Sequence, residues 1–216
     1  MNLSNSQKKI VSNVAWSLGG KAVNMASALF VGILIARYLG PESYGLMNYV
    51  ISYVAIFSII ATFGMDNIEI RELSRQNDKK DAIMGTCFCL RMFFATIAYI
   101  VIAISLFYFQ TDKFTSLMVL AYGLTLFTGT GNLLRNYFTS IVQNKYIVKS
   151  EMYRTFVGAG IKILLLWIKA PLEYFIYAQI FDTALVASGY YLSYKSTVGS
   201  IRKWHFDKTL VPFILK

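Results

Sequence analysis

The sequence predicts an all-α integral membrane protein with six transmembrane helices, and three observations support this fold class. Of the 216 residues, 56% are hydrophobic and 15% are charged, whereas a soluble domain has about 45–50% apolar and about 25% charged residues. The apolar residues gather in runs long enough to cross a bilayer. The basic residues, which give a formal charge of +10, concentrate in alternate connections between those runs, as the positive-inside rule describes.

Six apolar runs are candidates for membrane spans. A spanning helix needs roughly 20 apolar residues, and continuous runs favour helices over the alternating strands of a barrel. The fifth run is the shortest; it contains Lys162 and ends at Pro171. In chain order the predicted spans are Val14–Arg37, Tyr44–Gly64, Ile83–Phe109, Ser116–Ile141, Thr155–Ala170 and Leu172–Tyr194.

The connections between the spans alternate between short and long, which predicts three helical hairpins. The short connections are Tyr38–Ser43, built on Gly40-Pro41, Gln110–Thr115, and Lys169-Ala170-Pro171. The long connections, which are polar and rich in charge, are Asn67–Asp81, Gln143–Arg154 and Lys195–Lys208.

The basic residues predict the orientation of these hairpins. Fourteen of them fall on one predicted side of the membrane: Lys8, Lys9, Arg71, Arg75, Lys79, Lys80, Lys145, Lys149, Arg154, Lys195, Arg202, Lys203, Lys208 and Lys216. Three fall on the other side, namely Arg37, Lys113 and Lys169. Because an excess of Lys and Arg marks the cytoplasmic side, we expect both termini in the cytoplasm.

Four cations lie inside the predicted spans, at Lys21, Arg91, Arg135 and Lys162. With a rise of about 1.5 Å per residue, each lies about 9–12 Å from the cytoplasmic end of its predicted span. Ionisable groups in spans are costly and usually face a cavity. We therefore expect a cationic vestibule that binds an anion such as phosphate or pyrophosphate. The alternative is that these side chains extend to the membrane surface.

Polar residues on the same helix faces are expected to line this vestibule, with Asn24 and Asn132 as the candidates on the first and fourth spans. Asp182 is the acidic residue deep in a span. It is expected either to pair with Lys162 or Arg135, or to couple transport to an ion.

The sequence offers no motif for an enzyme. It lacks a phosphate-cradling Gly-rich loop with a following Lys-Ser/Thr, and its one His, His205, lies outside the predicted spans, so neither a catalytic triad nor a metal site is predicted. No cofactor is expected. The basic residues are spread between apolar runs, so nucleic acid is not an expected partner.

Two stretches carry a resemblance to a known family. Residues 29–45, LFVGILIARYLGPESYG, contain an Arg-x-Leu-Gly-Pro-x-x-x-Gly turn, and residues 63–75 read FGMDNIEIRELSR. Together they resemble the amino-terminal region of bacterial polysaccharide repeat-unit flippases, the O-antigen or Wzx type, in the superfamily of multidrug, oligosaccharidyl-lipid and polysaccharide exporters. The later spans match only in hydropathy and spacing.

The resemblance implies one lobe of a two-lobe transporter that flips undecaprenyl-pyrophosphate-linked oligosaccharide across the inner membrane by alternating access, in O-antigen and lipopolysaccharide biosynthesis. Residues 1–208 would form an amino-terminal six-helix lobe, and residues 209–216 would begin a truncated seventh helix. Expected partners are the lipid-linked oligosaccharide, membrane lipids, a carboxy-terminal lobe or a second copy, and polysaccharide polymerase and chain-length machinery.

Two alternative functions stay open from the sequence. One is a drug or small-solute antiporter of the same superfamily, and the other is a non-transporting membrane scaffold for glycan-assembly enzymes.

Overall fold

A computed structural model of the chain describes residues 5–109 and 112–214, with side chains described throughout these ranges except at 5–15, Ser17 and Asn77. Every regular element in these ranges is helical, which confirms the all-α prediction for them. The α-helices are α1 (Asn5–Thr62), α2 (Met65–Arg75), α3 (Lys80–Tyr108), α4 (Lys113–Gly123), α5 (Thr125–Thr128), α6 (Asn132–Ser140), α7 (Asn144–Trp167), α8 (Leu172–Thr197) and α9 (Val211–Ile214). Short 3₁₀ turns occupy Asn77–Lys79, Gly129–Gly131, Ile201–Lys203 and Lys208–Leu210.

Two helical segments meet within α1, at Gly40. This residue has φ 73° and ψ 173°, a backbone region essentially restricted to glycine. Pro41 follows at the start of the next segment, where its missing N–H is tolerated. The tight turn predicted at Gly40-Pro41 is therefore confirmed, and it divides α1 into segments 5–39 and 41–62.

The helix α2 occupies most of the predicted long connection Asn67–Asp81. A turn with positive φ at Phe63 and Gly64 precedes it. Its residues Met65, Glu69 and Leu73 are buried at four-residue spacing, so they form one face against the bundle. The charged connection predicted over Asn67–Asp81 therefore contains a helix, whose buried face packs on α6 and α3.

The helices at the fourth and fifth predicted spans differ in extent from the prediction. Residues 113–140 follow one helical path, because Leu124, Gly129 and Gly131 all keep right-handed helical φ and ψ between α4 and α6. The fifth helix, α7, begins at Asn144 rather than at the predicted Thr155. Its polar first half was mistaken for a connection.

The exterior of the bundle is apolar. Three of the described segments are long and apolar enough to cross a membrane: Leu18–Arg75, Lys80–Tyr108 and Lys113–Ser140. Large side chains such as Phe107, Trp167 and Ile59 have exposed fractions of 88%, 82% and 71%. Monomeric soluble proteins rarely expose continuous apolar surface of this kind, so these faces are suited to lipid.

Two buried clusters hold the helices together. One joins segment 41–62 of α1 to α3, α4 and α8 through residues such as Val50, Ile102 and Ile176. The other joins α2, α3, α6 and α8 through residues such as Leu73, Phe138 and Tyr194. Helix α7 packs between α1 and α8, which creates the space described below.

The segment after α8 lies across the start of α3. The backbone of His205 approaches Gly85 so closely that a Cβ there would lie 2.6 Å from the His205 nitrogen. Thr86 Oγ1 accepts a hydrogen bond from the Asp207 N–H at 3.0 Å. Hydrogen bonds from Thr209 hold the pKa of Asp207 below its ordinary value. Of the predicted seventh helix, Val211–Ile214 is helical, and residues 215–216 lie outside the described part.

Candidate functional site

A polar cavity of about 290 Å³ lies between both segments of α1 and the helices α7 and α8. Its α1 lining includes the small residues Ser27, Ala28 and Gly32. Its polar lining residues are Asn24, Ser27, Tyr44, Asn48, Arg154, Thr155, Lys162, Gln179 and Asp182.

An ion pair closes one side of this cavity. Lys162 Nζ on α7 lies 2.5 Å from Asp182 Oδ2 on α8 and 3.3 Å from Gln179 Oε1. The exposed fractions of the two charged side chains are 13% and 9%. Asp182 Oδ1 is buried and has no hydrogen-bond partner among the described residues. Of the two partners that the sequence suggested for Asp182, the structure therefore selects Lys162 rather than Arg135.

Gly158 allows α7 to come close enough for this pair. A Cβ at Gly158 would lie 2.8 Å from Asp182 Cγ and still closer to Asp182 Oδ1. A larger residue here would force the Asp182 carboxylate or the helix itself to shift. The glycine therefore lets Asp182 lie against the α7 backbone, one helical turn from Lys162.

Sequence reasoning assigned Arg154 to a cytoplasmic loop, but the structure places it in α7 and in the cavity wall. Its Nε atom is buried and has no hydrogen-bond partner among the described residues. The signal that could have revealed it is the spacing of Arg154, Gly158 and Lys162, which recur every four residues and share one helix face. With Arg154, Lys162 and Asp182, the formal charge of the cavity lining is +1.

Of the two candidate residues on α1, Asn24 borders the cavity and Lys21 does not. Asn24 lines the cavity, accepts a hydrogen bond from the Thr155 hydroxyl and donates to Glu151 Oε2 at 3.5 Å. Lys21, one turn earlier, is exposed and does not line the cavity. Gly20 packs on Val148, which fixes this part of α1 against α7.

Arg135 contacts α7 at Glu151, about three helical turns before Lys162. Its Nε is 3.6 Å from Glu151 Oε1, and 47% of its side chain is exposed. Glu151 Oε1 also accepts a hydrogen bond from the Tyr190 hydroxyl at 3.1 Å. Glu151 and Lys162 are about 16 Å apart along α7 at about 1.5 Å per residue. The expectation that all four cations lie at one depth is therefore wrong, since it depended on the short fifth span.

Arg91 belongs to a closed network at the other end of segment 41–62. Its Nε and Nη2 donate to Glu69 at 2.6 and 2.7 Å, and Nη2 also donates to Asp66 at 2.6 Å. Asn136 Nδ2 donates to the same two carboxylates at 2.8 and 2.7 Å. Both Arg91 and Glu69 are buried. One guanidinium and two carboxylates carry a formal charge of −1, so Arg91 has no surplus charge to offer an anion.

A second cavity of about 290 Å³ lies beside this network, between segment 41–62 of α1, α3 and residues 113–140. Asn132 and Arg91 are among its lining residues, and Ile51 borders both cavities. The structure thus brings Asn24, Lys162 and Asp182 to one cavity and Arg91 and Asn132 to the other. Lys21 and Arg135 lie outside both linings.

The comparisons with known proteins give one match. A family model described as polysaccharide biosynthesis protein matches residues 10–214 of this chain. No curated protein and no solved structure matches it.

Proposed function

The chain belongs to the polysaccharide biosynthesis protein family, and we propose that it flips undecaprenyl-pyrophosphate-linked oligosaccharide units across the bacterial inner membrane by alternating access. The observation that carries this proposal is the cavity between α1, α7 and α8. It combines Arg154, whose Nε has no partner among the described residues, with Lys162 and only one compensating carboxylate. A pyrophosphate needs such cationic donors in a partly dehydrated site, where charge interactions are stronger than in water.

The proposal includes six spans with both termini in the cytoplasm. The spans would be segments 5–39 and 41–62 of α1, then α3, residues 113–140, α7 and α8. Apolar exteriors on these helices and the one-sided distribution of Lys and Arg support this topology. The turns at Gly40 and Lys169 would face the opposite compartment.

Within this proposal the chain acts as an amino-terminal six-helix lobe over residues 1–208, and residues 209–216 begin the next helix. The cavity would then close against a carboxy-terminal lobe or a second copy, as in transporters built from repeats. Membrane lipids, polysaccharide polymerase and chain-length machinery are the other proposed partners. The proposed role is in transport, within O-antigen and lipopolysaccharide synthesis, and involves no catalysis.

The cavity cations are tested by substitutions at the native chromosomal locus. Lys162→Met and Arg154→Met should each lower surface polysaccharide and cause lipid-linked intermediates to accumulate on the inner leaflet. The matched controls are Lys203→Met and Arg202→Met, which change exposed cations in the segment after α8. Immunoblotting checks that all four variants reach equal abundance.

The controls also test the alternative of a scaffold. A scaffold that binds enzymes through its basic loops would lose function in Lys203→Met and Arg202→Met and keep it in the cavity variants. Normal surface polysaccharide in the Lys162→Met, Arg154→Met double variant, at normal abundance, would overturn the proposed transport site.

A further inference from the structure

Of the two carboxylate oxygens of Asp182, one has a hydrogen-bond partner among the described residues and the other has none. Asp182 uses Oδ2 to bind Lys162, while Oδ1 is buried against Gly158 without a donor among the described residues. A buried carboxylate oxygen with no hydrogen bond is costly. Lys162 therefore provides the main compensation for the charge on Asp182.

The other groups that face Asp182 compensate its charge weakly. Arg154, in the same cavity wall on α7, lies about 12 Å from Lys162 along the helix axis. Tyr44 on α1 lines the cavity, and Tyr122 on α4 interacts electrostatically with Asp182. Each of these tyrosines offers a hydroxyl group and not a positive charge. When Lys162 leaves, the charged form of Asp182 is disfavoured in these surroundings.

Lys162 is well suited to change partner. A lysine ammonium is a compact charge on a flexible stem with three donor hydrogens, and here it borders a cavity of about 290 Å³. Its second contact, to Gln179 Oε1, is a longer one at 3.3 Å. A phosphate oxygen in the cavity offers Lys162 an anionic acceptor in place of Asp182.

We propose that Asp182 takes up one proton when Lys162 transfers its hydrogen bond from Asp182 to a phosphate oxygen of a pyrophosphate-linked ligand. The proton comes from the buffered solvent, reaches the carboxylate through the open cavity and neutralises the charge that Lys162 has left. Anion binding and protonation of Asp182 then favour each other by linkage. The inference rests on the proposed function and adds to it a proton-dependent affinity at one named pair.

The test is isothermal titration calorimetry on the purified full chain in detergent, with UDP-glucose as the probe. This soluble pyrophosphate diester keeps its charge in weakly acidic and neutral buffers. Titrations in two buffers of different ionisation enthalpy give the number of protons taken up per bound probe. For the wild-type chain we expect one proton, and an affinity that rises by up to about tenfold for each unit of decreasing pH.

Variants assign the proton to the pair. Asp182→Asn should bind without proton uptake, with an affinity that is independent of pH and equal to that of the wild type in acidic buffer. Lys162→Met should bind at least about tenfold more weakly, and also without proton uptake. Glu173→Gln, in the first turn of α8 and outside the cavity lining, should retain the wild-type uptake. Infrared difference spectra should show a carboxylic acid band on binding in the wild type that is absent in Asp182→Asn.

The titrations distinguish a failure of the proton linkage from a failure of the proposed anion site. If wild-type protein binds UDP-glucose through Lys162 with no proton uptake, the linkage is overturned and the proposed transport site stands. Proton uptake that persists in Asp182→Asn also overturns the inference, because another group then titrates. If wild-type protein does not bind the probe at all, the anion site of the proposed function fails together with the inference.

Discussion

The Arg91 network and the Lys162–Asp182 pair differ in how many hydrogen bonds their carboxylates receive. In the Arg91 network, Glu69 and Asp66 receive five hydrogen bonds of 2.6–2.8 Å from Arg91 and Asn136. In the cavity, Asp182 receives one, and its Oδ1 atom receives none from the described residues. A closed network rigidifies the elements that it joins, whereas an open pair beside a cavity retains groups that a ligand can bind. We therefore regard Arg91 as a structural residue and propose Lys162 as a ligand-binding one.

Breaking the closed network should have the largest effect. Arg91→Met leaves Glu69 and Asp66 as adjacent carboxylates without the cation that both of them bind, and we expect the free energy of unfolding to fall by about 3–5 kcal/mol. Circular dichroism during SDS titration in mixed micelles measures it. Arg71→Met is the control, since 54% of the Arg71 side chain is exposed, and it should change stability by less than about 0.5 kcal/mol. Equal stability of the two variants would contradict a structural role for Arg91.

Replacing one carboxylate by an amide in each ionic group, Glu69→Gln and Asp182→Asn, compares the two groups directly. Both Oε atoms of Glu69 accept hydrogen bonds, so the amide of Glu69→Gln must direct its N–H₂ toward a donor in either orientation. We expect a loss of about 2–3 kcal/mol. In Asp182→Asn the amide nitrogen can take the position of Oδ1, which has no partner among the described residues, and the amide oxygen can still accept from Lys162. Lys162 loses its counter-charge but borders the cavity, so the loss should be smaller, about 1–2 kcal/mol. The same SDS titration measures both, and a larger loss for Asp182→Asn would reverse the assignment.

The close approach of α7 to α8 can be tested at two glycines of the same helix. In Gly158→Ala the new methyl group meets Asp182, and we expect destabilisation by about 1–3 kcal/mol from overpacking. Gly160→Ala meets no atom within 4 Å, so the better helix propensity of alanine should leave stability unchanged or raise it by up to about 1 kcal/mol. Similar results for both variants would contradict the packing described around Asp182.

The smallest expected effect lies at the edge of the Arg91 network. The Asp66 side chain is 50% exposed, whereas that of Glu69 is fully buried. Asp66→Asn should therefore cost about 0.5–1.5 kcal/mol, less than Glu69→Gln, because water compensates part of the lost charge. Thermal unfolding of the two purified variants side by side checks this order.

The sequence was sufficient for the helical class and the turn at Gly40-Pro41, because hydropathy and glycine conformation are local properties. It predicted a charge pair for Asp182 but left Lys162 and Arg135 open as partners. It was insufficient for α2, whose charged residues predicted only a polar connection between spans. There, Glu69 and Asp66 are compensated by Arg91, a partner more than twenty residues away that no local pattern reveals.

The prediction of one vestibule with four cations failed for a related reason. Depth was counted from predicted span ends, and the true start of α7 at Asn144 moves Lys162 about 27 Å from the beginning of its helix. The same shift brings Arg154 into the helix and the cavity. Hydropathy alone places the polar first half of α7 in a connection, although packing against α1 and α8 keeps it helical.

The most direct test of the account measures the affinity of undecaprenyl pyrophosphate for protein in nanodiscs by native mass spectrometry. The Arg154→Met, Lys162→Met double variant is compared with Arg135→Met, which removes a cation outside the cavity. We expect the double variant to bind more than about tenfold more weakly, since each charge-assisted hydrogen bond contributes about 1.5–3 kcal/mol. Arg135→Met should bind as the wild type does. Unchanged affinity in the double variant, in protein that remains folded, would contradict the assignment of anion binding to this cavity.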